Sequence, residues 1–182
     1  GRGALYFNTY LQYFTMEEPI TAAGHELKID RTYYRLDQIE HRTQVQTAEG
    51  GNIDEQRLRY RRVPLEDGDT VQSGDLVQVE LRIAADNDYT FLAFEDPKPA
   101  GFETVDVQSG YQRQEGFSTY MQLRDEKVTF FASSIGRGVH LLRYRLRAEI
   151  PGIFHALPTQ VYGMYAPELK ANSDEAIMRV VD

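Results

Sequence analysis

The 182-residue chain is 41% hydrophobic and 26% charged, which is the composition of a globular domain rather than of a disordered segment. Its net charge of −8 disfavours nonspecific attraction to nucleic acid or to anionic membrane surfaces, and no apolar run approaches the roughly 20 residues of a membrane span. The absence of cysteine excludes a disulfide framework, a thiol nucleophile and a cysteine-ligated zinc site.

The first predicted element is the aromatic strand Leu5–Phe14, which ends at the proline-containing polar break Glu17–Ile20. The residues before it, Gly1–Ala4, contain no apolar signal-peptide core, so we expect the chain to begin at an internal boundary of a longer protein. From its pattern alone, Leu5–Phe14 fits either the first strand of this domain or the last strand of a preceding one.

Most of the remaining chain alternates apolar and polar residues with a period of two, which is typical of half-buried antiparallel strands. The clearest case is Leu76–Ile83, in which Gln78, Glu80 and Arg82 separate the apolar residues. The same pattern recurs at Leu142–Ala148. The further predicted strands are Leu27–Leu36, Arg57–Val63, Tyr89–Phe94, Phe102–Val105, Lys127–Ala132 and Phe154–Met164.

Turn-forming residues separate these strands, and several short strands with turns between them predict an antiparallel β-sandwich. The predicted turns are Asp67–Gly68, Ser73–Gly74, Asp86–Asp88, Glu95–Glu103 with its Pro97–Gly101 centre, Gly136–Gly138 as a hairpin, and Pro151–Gly152. The segment 107–124 is the least strand-like, and it is predicted to hold a short helix or an excursion. The expected fold class is therefore all-β, with one short helix allowed in 107–124.

Two acidic clusters, Glu66–Asp69 and Asp86–Asp88, supply the oxygen atoms that calcium prefers. Neither matches the twelve-residue EF-hand loop, and aspartate, asparagine and glycine are also ordinary turn formers. We therefore interpret both clusters as turns and predict no metal and no cofactor.

No set of residues indicates catalysis, so the sequence does not predict an enzyme. Glu95 and Asp96 are a carboxylate pair, but neighbours on a strand point to opposite faces. The serines at 118, 133 and 134 lack a nucleophile-elbow motif. The four histidines contain no pair at the i, i+4 spacing of a helical metal site; they are His25, His41, His140 and His155.

Arginines alternate along two predicted strands: Arg57, Arg59 and Arg61 on one, and Arg143, Arg145 and Arg147 on the other. Adjacent strands of this kind would form a basic stripe for an acidic partner surface. We favour the alternative, in which these arginines pair across strands with acids such as Glu80 and keep a solvent face polar.

Several motifs resemble, in order, the C-terminal part of a bacterial alpha-2-macroglobulin, a large periplasmic protease inhibitor. The resemblance covers about Gly24 to Glu168. It is carried by Arg31–Tyr34, Gly74–Ile83, Asp88–Tyr89, Glu95–Glu103, Arg124–Phe131, Tyr144–Ala148, Pro151–Gly152 and Met164–Glu168.

This resemblance implies a fold and a domain organisation. The fold would be a macroglobulin-like sandwich of fibronectin- or immunoglobulin-like architecture over residues 24–182, and residues 1–23 would hold the closing strand of a preceding CUB-like domain. The family's thioester motif, Cys-Gly-Glu-Gln, is absent from this chain. The chain is therefore expected to trap no protease by itself, and to act within a periplasmic or cell-envelope parent.

The resemblance also implies partners and a site. The expected partners are the thioester and CUB-like domains of the parent, and target proteases through the parent, with no nucleic acid and no membrane contact. In the family, this domain can contribute a tyrosine that shields the thioester from water, and Tyr165 with Met164 stands at the matching position. The alternative role of Tyr165 is simply to end a strand.

Two other functions remain open on sequence grounds. One is a free-standing adhesion or carbohydrate-binding sandwich, which exposed, coplanar aromatic rings on one sheet would favour. The other is a sandwich-fold hydrolase, which a cleft with convergent carboxylates of perturbed pKa would favour.

Overall fold

A computed structural model describes residues 19–46, 52–106, 108–114 and 117–182 of the chain. These residues form fourteen strands, so the predicted all-β class is confirmed. The strands are β1 (Leu27–Gln46), β2 (Asn52–Leu65), β3 (Thr70–Gln72), β4 (Leu76–Ala85), β5 (Tyr89–Pro97), β6 (Phe102–Thr104), β7 (Gly110–Gln114), β8 (Phe117–Leu123), β9 (Lys127–Ile135), β10 (Gly138–Ala148), β11 (Gly152–Ala156), β12 (Gln160–Gly163), β13 (Lys170–Asn172) and β14 (Ala176–Val181).

The strands are arranged in three sheets. The two large sheets are five-stranded, in the order β2-β1-β4-β10-β6, and six-stranded, in the order β13-β12-β5-β9-β8-β7. A small third sheet has the order β11-β14-β3, in which β14 and β3 run parallel. All other strand pairs are antiparallel.

The apolar faces of the central strands of both large sheets lie in the core between these sheets. The alternation in Leu76–Ile83 is confirmed, because Val77, Val79, Leu81 and Ile83 are all fully buried. Leu142 and Leu146 of β10 are buried in the same core cluster, which also contains Phe94 and Phe130 of the six-stranded sheet. Removing this apolar surface from water is the main stabilising contribution to the sandwich.

A buried ion pair crosses the core between the two large sheets. Arg31 of β1 donates to Asp96 of β5 at 2.8 Å, and their side chains are 1% and 0% exposed. The Asp96 carboxylate also accepts from the Tyr144 hydroxyl at 2.7 Å and from the Thr159 hydroxyl at 2.9 Å. Asp96 is therefore held by three donors in a site without solvent.

Arg31 also attaches the small sheet to this pair. Its guanidinium donates to the carbonyl groups of Ala156, at the end of β11, and of Leu157, each at 2.7 Å. A longer contact of 3.5 Å reaches the Asp174 carbonyl, two residues before β14 begins. One arginine side chain thus links all three sheets.

The predicted strand Leu27–Leu36 extends much further than its sequence pattern indicated. Strand β1 pairs with β4 from Leu27 to Arg35, and it pairs with β2 from Tyr33 to Gln46. Its second half therefore forms a two-stranded ribbon with β2. Polar residues dominate this half, so the period-two pattern that marked the first half is weak there.

Three predictions about a helix, a strand and a hairpin were wrong. The short helix allowed in 107–124 is replaced by β7 and β8, which pair as antiparallel neighbours from Gly110–Met121 to Gln114–Phe117. The predicted strand Phe154–Met164 is two strands, β11 and β12, in different sheets. The Gly136–Gly138 turn is not a hairpin, because β9 and β10 belong to different large sheets.

The predicted strand Leu5–Phe14 lies outside the described residues. The chain enters the described part at residue 19 and runs beside residues 172–175, where Ala23 forms a bridge with Asn172. Over the described residues, no helix has the length and apolarity to cross a membrane.

Candidate functional site

The candidate site is an apolar cluster that consists of Phe91, Met164 and Tyr165. Tyr165 is 80% exposed, Phe91 is 49% exposed and Met164 is 45% exposed. The Phe91 and Tyr165 rings meet edge to face, with centroids 5.3 Å apart and planes at 84°. Three large apolar side chains thus face solvent together, which is the kind of surface that marks an interaction site.

A compact turn between β12 and β13 presents Tyr165. The Gly163 amide donates to the Leu169 carbonyl at 2.9 Å, and the Ala166 amide donates to the Gly163 carbonyl at 3.2 Å. A Cβ atom at Gly163 would lie 2.9 Å from the Ala166 carbonyl oxygen, so this close approach requires glycine. These contacts hold Tyr165 at the tip of the turn.

Phe91 adopts a strained backbone conformation beside this turn. Its φ is 54°, and it is the one non-glycine residue of the described chain with a positive φ. Strand β5 pairs with β9 on both sides of it, through Thr90–Ser134 and Leu92–Ala132, and its carbonyl accepts from the Met164 amide at 2.8 Å. A phenylalanine rarely adopts this conformation, and strain of this kind is concentrated at functional sites.

Sequence reasoning selected Tyr165 and Met164 but missed Phe91. Within Tyr89–Phe94 the residue reads as an ordinary strand aromatic, and nothing in its neighbours indicates a positive φ. The structure brings Phe91 close to Met164 and Tyr165, although 73 positions separate Phe91 from Met164 in the chain, because strands β5 and β12 are paired.

The carboxylate pair Glu95–Asp96 divides between the two faces of β5, as expected for strand neighbours. Glu95 accepts from Lys127 at 2.9 Å and from the Tyr162 hydroxyl at 3.1 Å, whereas Asp96 is buried against Arg31. Burial and the Glu95 hydrogen bond raise the pKa of Tyr162. Both residues lie within β5, so the turn begins after Pro97 rather than at Glu95.

The two arginine series do not form one stripe, because β1 and β4 lie between β2 and β10. Arg143 donates to Glu80 at 2.5 Å, and Arg62 donates to the same carboxylate at 2.8 Å. Burial opposes the charge of Glu80, but the hydrogen bonds from Arg143 and Arg62 outweigh it and lower its pKa. Arg145 and Arg147 are exposed on the same strand.

Carboxylates of both acidic turns accept hydrogen bonds from backbone amides. In Glu66–Asp69, the Asp69 carboxylate accepts from the Glu66 amide at 2.8 Å. The Asp88 carboxylate accepts from the Arg137 amide at 2.7 Å. Over the residues that the structure describes, no three His, Asp or Glu side chains are grouped as metal ligands would be.

A second surface is a cavity of about 410 Å³, whose lining includes Asp67, Asp174, Glu175 and His155. Each of its carboxylates accepts a backbone N–H, from Ile177, Ala22 and Ile20 respectively. The hydrogen bond from His155, at 2.5 Å, lowers the pKa of Glu175. A general acid needs a raised carboxyl pKa, so this arrangement does not favour the hydrolase hypothesis.

Two pairs of aromatic rings lie on or beside the six-stranded sheet with at least one exposed member each, but the rings of each pair are not coplanar. Tyr111 and Tyr120 meet at 70°, and Phe91 and Tyr165 meet at 84°. Flat stacking against sugar rings would require a shared plane. The observed edge-to-face geometry therefore does not favour the carbohydrate-binding hypothesis.

The sequence matches the family model of the bacterial alpha-2-macroglobulin MG10 domain over residues 27–168, which is more than half of the chain. It is 28% identical over 106 residues to an alpha-2-macroglobulin homolog of Nostoc, covering 54% of this chain and 6% of that protein. It is 26% identical over 135 residues to alpha-2-macroglobulin of Thermotoga maritima, covering 67% of this chain and 8% of that protein. The chain thus spans a small part of the length of these relatives.

Solved structures share the fold. A mutant of Salmonella alpha-2-macroglobulin superposes with a TM-score of 0.63 at 22% identity, covering 92% of this chain and 10% of that one. Native alpha-2-macroglobulin of Escherichia coli superposes with a TM-score of 0.61 at 19% identity, covering 93% and 10%. The macroglobulin-like sandwich is therefore confirmed, and the chain belongs to the bacterial alpha-2-macroglobulin family as an MG10-type macroglobulin domain.

Proposed function

We propose that this chain is the C-terminal interaction domain of a periplasmic or cell-envelope protease inhibitor of the alpha-2-macroglobulin type. In this role it packs beside the thioester domain of the parent protein and helps to shield the thioester from water. The fragment alone inhibits no protease, and target proteases are reached only through the parent. The CUB-like domain that precedes it is its second intramolecular partner.

The observation that carries this proposal is the exposed cluster Phe91–Met164–Tyr165. A phenol ring that is 80% exposed in the isolated domain gains little there, but it excludes water effectively when a second domain covers it. The strained backbone of Phe91 supports the same conclusion, because strain of this kind persists where function requires it.

The exposed residues Arg145 and Arg147 are the proposed polar part of the contact with the parent. They lie on the five-stranded sheet, whereas the aromatic cluster belongs to the six-stranded sheet. Their neighbour Arg143 is engaged with Glu80, so its contribution is to order this face rather than to bind an acid of a second domain.

The test replaces Tyr165 with alanine in the full-length parent protein. Without the ring, water reaches the thioester, and we expect spontaneous thioester hydrolysis to accelerate by about tenfold, which corresponds to about 1.4 kcal/mol of activation free energy. The measurement is the release of free thiol, followed with a thiol-reactive dye in the absence of any protease.

Tyr111→Ala is the matched control, because Tyr111 is a similarly exposed tyrosine that lies on β7, outside the cluster. This variant should leave the rate of thiol release unchanged. An unchanged rate in Tyr165→Ala would remove the shielding role, and a parent protein that releases no thiol under denaturing conditions would remove the thioester itself.

A further inference from the structure

The small sheet β11-β14-β3 has one covered face and one open face. Its inner side chains belong to the core or pack against it; they are Val71, Phe154, Met178 and Val180. The side chains that alternate with them point away from the core, and those of Ile153 and Val181 are 60% and 40% exposed. Ile153 is the most exposed large aliphatic side chain among the residues that the structure describes.

The strand register places a cation in the middle of this open face. Ile153 of β11 lies directly opposite Arg179 of β14, which is exposed. Ile177 and Val181 stand two positions before and after Arg179, so they share its face and are the diagonal neighbours of Ile153. Three aliphatic side chains therefore surround one arginine, and we call these four residues the outer face.

Arg179 has no acidic partner within the described part of the chain. Its side chain forms no ion pair and no hydrogen bond there, whereas the strand arginines Arg62 and Arg82 each bind a carboxylate. Arginine with apolar neighbours is enriched at the centres of protein interfaces, where burial of apolar surface is combined with charge recognition. The outer face therefore fits a partner that presents a carboxylate among apolar side chains.

The chain enters the domain beside this face. The Ile20 amide donates to the Glu175 carboxylate at 3.3 Å, and the Ile20 carbonyl accepts from the Glu175 amide at 2.9 Å, just before β14 begins. Residues 19–21 line one cavity together with His155 of β11 and Ile177 of the outer face. Whatever precedes residue 19 in the parent therefore starts next to the outer face.

Connectivity and charge favour one occupant. A domain that precedes this chain in the parent is held near the outer face at a high effective concentration, because the chain itself links the two. A second copy of the chain fits less well, since a symmetric pairing centred on this face would bring two Arg179 charges together. The aromatic cluster Phe91–Met164–Tyr165 belongs to the six-stranded sheet and takes no part in this contact.

We propose that the outer face of the small sheet is the docking surface for the domain that precedes this chain in the parent. That domain presents a carboxylate to Arg179 and apolar side chains to the three aliphatic residues around it. The inference rests on the proposed function only in requiring such a parent, and it needs neither a thioester nor a role for Tyr165.

Hydroxyl-radical footprinting of the full-length parent and of the isolated chain tests this contact. Mass spectrometry measures the oxidation rates of Ile153 and His155, normalised to a dosimeter peptide present in both samples. Both side chains are exposed in the isolated chain. We expect oxidation at both positions to be at least about threefold slower in the parent, because docking removes this surface from solvent.

Reversing the central charge should undo this protection. In the parent, Arg179→Glu should restore the oxidation of Ile153 to at least about half of its rate in the isolated chain, because like charges then meet across the contact. Arg113→Glu is the matched control, since it changes the net charge equally at an exposed arginine of β7, and it should leave the protection intact. Ile153→Thr, with His155 as the reporter, serves if Arg179→Glu does not fold, because it keeps a β-branched residue in β11.

A photo-crosslinker identifies the occupant. With p-benzoylphenylalanine in place of Ile153, irradiation of the full-length parent should join this position to a peptide of the preceding domain within the same molecule. Three results would overturn the proposal: equal oxidation rates in the parent and the isolated chain, equal loss of protection in Arg113→Glu and Arg179→Glu, or a crosslink to another domain or to a second molecule. Failure of the thioester-shielding role is read separately, from the release of thiol.

Discussion

At the scale of single residues, the ion pair Arg31–Asp96 is the most consequential contact of the domain. Removing two charges from water is costly, and their attraction compensates only when the remaining polar atoms are also satisfied. Asp96 meets this condition through Tyr144 and Thr159. Arg31 meets it incompletely, since its Nε atom is buried without a partner. The net stability that the intact pair contributes is therefore expected to be small compared with the cost of removing only one of its partners.

Breaking this pair from one side should be strongly destabilising. Asp96→Asn leaves the Arg31 charge buried without a counter-charge, so we expect the free energy of unfolding to fall by about 3–5 kcal/mol, measured by urea denaturation. The matched control is Asp30→Asn. Asp30 is the neighbour of Arg31 in β1, and it forms an exposed ion pair with Arg82 at 3.1 Å. The free energy of unfolding of this variant should fall by less than about 1 kcal/mol. Equal losses in the two variants would contradict the argument.

At the scale of elements, the backbone of β5 is strained where it carries Phe91. The left-handed conformation is unfavourable for any residue with a Cβ atom, and glycine alone escapes this cost. At an ordinary strand position, a glycine variant is less stable than the alanine variant by about 0.5–1 kcal/mol. If the glycine variant is instead the more stable one at position 91, the difference measures the backbone strain.

We expect Phe91→Gly to be more stable than Phe91→Ala by about 1 kcal/mol in urea denaturation of the isolated chain. Both variants lose the ring and its contact with Tyr165, so the difference between them isolates the backbone. The same pair of substitutions at Thr90, whose φ is not positive, should show the ordinary order. Alanine more stable than glycine at position 91 would show that the strand is relaxed there.

The sequence predicted elements well where burial alternates along the strand, as in β4 and in residues Leu142–Ala148 of β10. It failed where an element is defined by its partner rather than by its own pattern. Strand β7 alternates between exposed and half-buried positions, so Gly110–Gln114 carries no apolar face to recognise. The break between β11 and β12 contains Pro158, a local signal that a strand ends, whereas the contacts of Arg31 with the Ala156 and Leu157 carbonyls come from the distant strand β1. Distant contacts of this kind leave no local sequence signal.

The candidate site was predictable only in part. Tyr165 and Met164 followed from the family resemblance, because a motif marks them. Phe91 did not, since a positive φ is a property of the folded sheet rather than of the type of residue concerned.

At the scale of the whole molecule, the buried tyrosines determine how stability responds to alkaline pH. Burial raises the pKa of Tyr33 and of Tyr144 above the usual 10.0, and the nearby Asp96 charge adds to this effect. The folded chain therefore keeps both protons at a pH where the unfolded chain releases them. The stability from these groups is complete below pH 10 and is lost as pH rises above it.

The free energy of unfolding should consequently fall above pH 10 by about 1.4 kcal/mol per pH unit for each buried phenol. Tyr144→Phe removes one of the two phenols, so it should reduce the slope by that amount, measured by urea denaturation between pH 9 and 11.5. The same substitution at exposed Tyr111 is the matched control. An identical slope in all three proteins would show that other groups govern the alkaline transition.

The contacts of Arg31 also bear on the choice of boundaries for a recombinant form of this domain. The family match stops at residue 168, yet β13 and β14 follow it. The Asp174 carbonyl, just before β14, lies 3.5 Å from the Arg31 guanidinium. A recombinant version trimmed to the matched residues would lose one edge of the six-stranded sheet and the middle strand of the small sheet. Boundaries for expressing or transplanting this domain should therefore be drawn from its hydrogen-bonded strands, and they should include the last residues of the chain.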